Sequence, residues 1–448
     1  MNLSLGNLLK NFNYLRYSAG IAMLFNGFPL IFFFRDTLGI GPASSTFTAV
    51  FFAVALLLMV PTNLFLRFYS PNPVLFNLGV GFLLLSVYYF IFFNNMGMGV
   101  TDIGNYAYIF AFLLLLLSIP SDVKDTLVPV LFIFSLFSNL TLVYSLMTDP
   151  SWTLGMRAAV SFSNEGAQAG GNPHITARNG IICLLTAMVL VPQYKSIFAK
   201  LFFYFSVLFS LAVIVLSLAK SSYLGVGLML GLYVFYNFRL TNIFSAVGSF
   251  FSFKNILLMV LVFLGISYFL SQYGGVLDNL LNYWDIFEGR IMDVIFTSFG
   301  VKLSDTADID ASAMGRVSGF GTFLDTLYSR DVFLGRGYKS GFLDVPILEA
   351  LVNHGILGFL FFNGFNFFLF IYSIQEIKRN TTPLSTFLAY FFISLIVLLI
   401  SGGRPYDISY WFPYAVMIRF LGIDYFYKLA RRPAQGRLTA AGSQPSNY

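Results

Sequence analysis

Residues 130–147 read VLFIFSLFSNLTLVYSLM. No position in this stretch is charged, and apolar side chains fall on every face of it. The strand of a membrane barrel would alternate apolar and polar positions, and this stretch does not. Wound as a helix it extends about 27 Å, close to the ~30 Å hydrocarbon core of a bilayer. A helix also satisfies its backbone hydrogen bonds internally, which lipid demands. Residues 110–120, FAFLLLLLSIP, read the same way.

Working outward, the 448-residue chain is 57% hydrophobic and 10% charged, with 55 Phe and 26 Tyr and a mean hydropathy of +0.77. Length and hydropathy predict an all-α, polytopic membrane protein of about twelve transmembrane helices. These are placed near 15–34, 44–66, 73–93, 105–120, 126–147, 177–193, 198–218, 221–238, 255–271, 346–373, 383–401 and 407–427. The chain then divides into a bundle over 1–271, a large outer loop over 272–345, C-terminal membrane helices over 346–427 and a polar tail over 428–448. The tail's Pro, Gly and Ser predict disorder, with its arginines as an anchor at the membrane face. A second outer loop covers 148–176. Within the large loop, residues 277–300 and 311–330 space apolar residues at helical intervals with polar ones between. They predict amphipathic helices that lie on the membrane surface or cover a cavity.

Charge placement orients these helices. Arg67, Lys124, Lys195, Lys200, Arg239, Lys254, Lys378, Arg379 and the tail cations fall on one side if both termini are cytoplasmic. The short loop 94–104 opposite has no Lys or Arg. This is the positive-inside pattern, and it accounts for the net charge of +6 without invoking nucleic acid. The first apolar run lacks a small-residue cleavage site and is expected to insert as the first membrane helix. The single cysteine, Cys183, excludes an intramolecular disulfide and reads as a small core residue.

Long outer loops are exempt from the positive-inside rule. The outer side nevertheless gathers Arg157, Arg178, Lys220, Arg290, Arg316, Arg330, Arg336, Lys339 and Arg404. Lys302, Arg330 and Lys339 read as solvated loop charges. Arg178 starts an apolar helix, Lys220 interrupts VLSLAKSSYLGVGL, and Arg404 follows LISGG. Charge at a membrane boundary is costly and is usually functional. Forked guanidinium contacts suit phosphate oxygens, so the cluster suggests an anionic amphiphile, a lipid diphosphate. His174 and Arg178 stand four residues apart and share a helical face, within reach of one ligand.

Among the acids, Asp344 is the sharpest candidate. On a helix it shares a face with Leu348, Leu351, Gly355 and Gly358, whose glycines leave room for a close neighbour. It either caps that helix, carries chemistry, or does both. Glu349 and Asn353, four apart, predict a polar contact along the helix. His354 reads as packing or an interhelical hydrogen bond. Arg35 and Asp36 read as an interfacial pair. Asp308-Ile309-Asp310 reads as an exposed acidic loop, and no metal site is expected.

Three features of this chain resemble the O-antigen polymerase and O-antigen ligase superfamily, of Wzy and WaaL type. One is the topology, with a large outer loop before the last helices. Another is ARNGIICLL followed by VLSLAKSSYLGVGLML, where Ala219-Lys220 stands in place of the family's frequent Ser-Arg pair. The third is residues 315–360, GRVSGFGTFLDTLYSRDVFLGRGYKSGFLDVPILEALVNHGILGFL. These are similar to the family's run of an Arg, a spacer, a G-x-G turn and a helix ending G-x-x-G. Ligase-like members tend to begin that helix H-N-x-x-L-x-x-L-x-E-x-G-x-x-G. Here the His position falls on Asp344 and the Glu position on Asn353. That departure favours the polymerase over the ligase.

The resemblance implies a GT-C-like fold and a metal-independent, inverting glycosyltransferase that needs no cofactor. Its reaction would lie at the periplasmic face of the bacterial inner membrane. Donor and acceptor would be undecaprenyl-diphosphate-linked glycans, and the family admits a chain-length regulator protein as partner. Asp344 would act as base or orient the acceptor, and Arg316 would act with it in catalysis. Arg178, Lys220 and Arg336 would bind the diphosphate, with Arg157, His174, Arg290 and Arg404 in support. A ligase transferring glycan to lipid A core is the near alternative. A flippase for the same lipid-linked glycan is the alternative of another class. A flippase calls for charge along a central path, whereas 105–120 and 255–271 carry none.

Overall fold

The computed structural model describes residues 5–41, 45–61, 64, 67–94, 97, 99–148, 152, 156, 158–160, 173–237 and 311–423. Among them every regular element is helical, and a β-type bridge joins Asn94 to Tyr338. The helices are α1 Leu5–Asn26, α2 Phe28–Phe32, α3 Ser45–Met59, α4 Pro73–Phe92, α5 Val100–Ser118, α6 Lys124–Thr148, α7 Pro173–Leu190, α8 Ile197–Ser217 and α9 Lys220–Asn237. After residue 310 come α10 Ala311–Leu327, α11 Asp331–Leu334, α12 Pro346–Arg379, α13 Pro383–Ser401 and α14 Ile408–Phe420.

Among the described residues, seven helices are long and apolar enough to cross a membrane, or eight if the bent α1–α2 pair counts as one. The protein therefore has the build of a multi-pass membrane protein. Helices stand at eleven of the twelve expected places, and 255–271 lies outside the described residues. Three of those eleven are not full spans: α9, with 18 residues, is not apolar enough, and two others are too short. α3 has 15 residues and α14 has 13, the latter about 20 Å long. The amphipathic helix expected over 311–330 is α10; its companion at 277–300 lies outside the described residues.

The first expected span, 15–34, is not a continuous helix. α1 and α2 meet at a 78° bend. Pro29 lies at the start of α2 and lacks the N–H that would bond to Phe25 O four residues back, so the helix cannot run through.

The core sits around α13 and α7, of whose spans 78% and 67% is buried, against 28% for the peripheral α8. Small residues bring the central helices together. A Cβ on Gly225 of α9 would stand 2.9 Å from Ser394 O of α13. A buried amide chain links four helices: Asn26 Nδ2 donates to Asn179 Oδ1, Asn179 Nδ2 to Asn139 Oδ1, and Asn139 Nδ2 to Ser210 Oγ. Cys183 is buried beside it, as expected of a core residue.

α12 is broken. Gly355 has φ 65° and ψ −166°, a region open in practice only to glycine. The carbonyls of Val352 and Asn353, released by the break, accept from Arg336 N at 2.7 Å and Gly337 N at 3.2 Å. The GRG turn at 335–337 thus completes the hydrogen bonding of an interrupted membrane helix. Gly335, with φ 69°, is needed there because a Cβ on it would stand 2.5 Å from Gly355 N.

Candidate functional site

The break in α12 and the turn between α13 and α14 face each other at one end of the bundle. Asp344 lies at the front of α12 but outside it. The helix begins at Pro346 with Val345 as its N-cap, and Asp344 has a left-handed backbone, φ 55°. Residues before proline avoid helical angles, so the helix starts after Val345 and the expected shared face with Leu348 and Leu351 does not form. The Asp344 carboxylate does not cap α12; its Oδ1 accepts from Gly403 N at 3.3 Å.

The next residue of that turn is held the same way: Arg404 N donates to Asp407 Oδ2 at 2.7 Å. The Arg404 guanidinium reaches back to α12. Its Nη1 donates to Tyr406 Oη at 2.8 Å and lies 3.4 Å from Glu349 Oε1. Its face covers the ring of Phe342, 4.9 Å away. The Glu349 side chain is fully buried and fully occupied. Oε1 also accepts from Asn353 Nδ2 at 3.0 Å and from Tyr406 Oη at 3.3 Å, and Oε2 accepts from Leu343 N at 3.2 Å. Burial, with the Glu349 carboxylate beside it, pushes the Tyr406 phenol well above its ordinary pKa. Tyr406 therefore remains a neutral donor.

Below this layer His354 Nε2 meets Ser86 Oγ at 3.2 Å, and Ser86 Oγ meets Tyr106 Oη at 2.6 Å. The imidazole is walled by Phe82, Tyr89 and Tyr406. The interhelical hydrogen bond expected of His354 and the Glu349–Asn353 contact are both present. So is the Arg35–Asp36 pair, at 2.6 Å.

The cations expected to bind diphosphate are distributed differently. Arg178 is a structural clamp. Nη1 donates to Ser409 O at 2.8 Å and Nη2 to Phe25 O at 3.3 Å. Both carbonyls are ones that a proline four residues on, Pro413 and Pro29, leaves without a helical donor. One guanidinium thus fastens two proline breaks. Arg178→Ala should lower the stability of the purified protein by about 3 kcal/mol or more, at about 1.5–3 kcal/mol for each bond to a charged group. Thermal unfolding unchanged by Arg178→Ala would show that these bonds do not hold the fold.

Lys339 is not a solvated loop charge. Its Nζ lies 2.7 Å from Asp102 Oδ1 at the start of α5, and the pair ties the loop after α11 to the bundle. Arg336 is exposed and pairs with Asp331 at 3.4 Å. His174, exposed at the start of α7, meets Ser221 Oγ at 3.1 Å, next to Lys220 at the start of α9. Two helix N-termini and two basic side chains converge there, a setting that favours anions. Arg316 is carried by α10; Arg157, Arg290, Asp308 and Asp310 lie outside the described residues.

Asp407, Tyr406 and Asp102 were not singled out by the sequence. The signal for the first two is present in GGRPYD, residues 402–407, a charged turn between apolar helices. Among the described residues no group of three His, Cys, Asp or Glu is placed to hold a metal. No protein-family model matches this chain, and no curated protein matches its sequence.

Proposed function

We propose that the chain is a surface-polysaccharide polymerase similar to the O-antigen polymerases. In this reading it joins undecaprenyl-diphosphate-linked oligosaccharide repeat units by inverting, metal-independent glycosyl transfer. The reaction lies at the periplasmic face of the bacterial inner membrane, with both chain termini in the cytoplasm. The observation that carries the reading is the Asp344 carboxylate, half-buried and held by Gly403 N of the turn that also carries Arg404, at the end of an apolar bundle. A carboxylate so placed can take the proton of an acceptor hydroxyl as its oxygen bonds to the anomeric carbon. The bond from that carbon to the diphosphate oxygen breaks in the same step, and the lipid diphosphate leaves as an anion. Lys220 and His174, with Arg316 and Arg336, supply positive charge for that anion. Arg404 orients the turn that holds Asp344, and Arg178 holds the helices on which the others stand.

Deleting the gene should leave a surface glycan of a single repeat unit on lipid A core. Long polymer retained on its undecaprenyl carrier would identify a ligase instead. Arg316→Ala and Asp344→Ala should each shorten the polymer while the protein stays in the membrane. Wild-type glycan ladders from both would remove these residues from the site.

A further inference from the structure

We infer that residues 331–345 form a re-entrant element whose tip, Phe333 and Leu334, is seated in the hydrocarbon of the bilayer at the site end of the bundle. This rests on the multi-pass membrane build alone and not on the reaction proposed above.

The depth of the element follows from its contacts with α4. That helix has 20 residues, about 30 Å, the thickness of the hydrocarbon core. Its last turn touches the element directly: Tyr89 Oη donates to Leu334 O at 2.6 Å, and Tyr338 N donates to Phe93 O at 2.9 Å. A Cβ on Gly337 would come within 2.6 Å of Phe93 O, so the two chains run in backbone contact. The α12 break lies at a similar level, since His354 packs against the rings of Phe82 and Tyr89. Residues 333–338 therefore sit at the depth of the final turn of a membrane helix, not above it.

Irregular backbone persists at such depth only where protein groups satisfy it. Here each amide from 335 to 338 has a protein acceptor: Gly335 N on Asp331 O, Arg336 N on Val352 O, Gly337 N on Asn353 O and Tyr338 N on Phe93 O. The side chains at the tip point the other way. Phe333 is 70% and Leu334 66% exposed, the same as Phe92, at 67%, on the outer surface of α4. Phe92 belongs to an aromatic cluster with Tyr88, ring centroids 5.0 Å apart, of the kind that marks a membrane interface. Leaving Phe333 and Leu334 in water would forgo the transfer of two large apolar side chains out of it. The half-exposed Asp331–Arg336 pair beside them supplies the polar rim that the headgroup layer accepts. The occupant of this surface is therefore lipid acyl chain.

Spin labels test the inference in the full chain, reconstituted in vesicles of phosphatidylethanolamine and phosphatidylglycerol. In a Cys183→Ala background, Phe333→Cys and Leu334→Cys are labelled separately, with Phe92→Cys as a lipid-facing reference and Lys195→Cys, exposed in the loop between α7 and α8, as an aqueous one. Collision with oxygen should exceed collision with a water-soluble nickel chelate at 333 and 334, as at 92, and the order should reverse at 195. Two tip positions are used so that misfolding of one variant still leaves a reading from the other. Chelate-dominated relaxation at the tip, with position 92 still in lipid, would overturn the inference.

Discussion

Gly355→Ala should destabilise the protein by more than about 3 kcal/mol and abolish whatever the site does. Two effects combine. The ε region of backbone space in which Gly355 sits costs an L-residue about 1–3 kcal/mol. A Cβ there would also overlap Phe333 O, a backbone atom that cannot rotate away. Relief would require the 333–337 turn to lift off α12. The carbonyls of Val352 and Asn353 would then lose their donors in an apolar setting, at about 1–3 kcal/mol each. The control is on the same helix. A Cβ on Gly364 would meet only Leu78, at 3.8 Å, so Gly364→Ala should be neutral or stabilise by about 0.5–1 kcal/mol, as expected for glycine inside a helix. Unfolding of the two purified variants in one detergent decides the matter. Equal stability would mean that the break is not built as described.

The second large effect is expected at the Glu349–Arg404 pair. The Glu349 side chain is fully buried and that of Arg404 is 21% exposed, so removing either leaves a poorly hydrated charge behind. Glu349→Ala and Arg404→Ala should each cost about 3–5 kcal/mol. The double variant should cost clearly less than the sum, because the second change removes the stranded charge that the first creates. Glu349→Gln retains partners for Asn353 and Tyr406 but not the charge, and should fall between wild type and Glu349→Ala. Strict additivity of the two single changes would show that the pair contributes little.

Much of the architecture is written in local sequence. The uncharged stretch at 130–147 lies within α6, and the expected 73–93 and 383–401 coincide with α4 and α13 within a residue or so. A membrane helix announces itself because its hydropathy and its hydrogen bonds are both internal to one segment. Gly355 was also legible in kind, as a place of close approach, although the approaching chain is the 333–337 turn and not another helix.

The site was less legible because its partnerships span the chain. Nothing near Arg178 indicates that it serves carbonyls freed by Pro29 and Pro413, since the prolines and the guanidinium meet only in the fold. Lys339 finds Asp102 for the same reason. Asp344 was misplaced on α12 although the local signal existed: Val345-Pro346 prevents the helix from starting at Asp344. The acids also outnumber what a cationic mouth predicts. Glu349 and Asp407 flank Arg404, and Asp344 holds the neighbouring Gly403, which moves the expected anion contacts toward Lys220, His174, Arg336 and Arg316.

The most direct test of the proposed function is to supply the purified chain, reconstituted in lipid, with undecaprenyl-diphosphate-linked repeat units. The substrate would come from cells lacking the gene, and a metal chelator would be present throughout. The account predicts a ladder of longer glycans still attached to the carrier, lost in Asp344→Ala and made without help from Asp308 or Asp310. No elongation by a folded wild-type protein, or glycan transfer only when lipid A core is added, would contradict it.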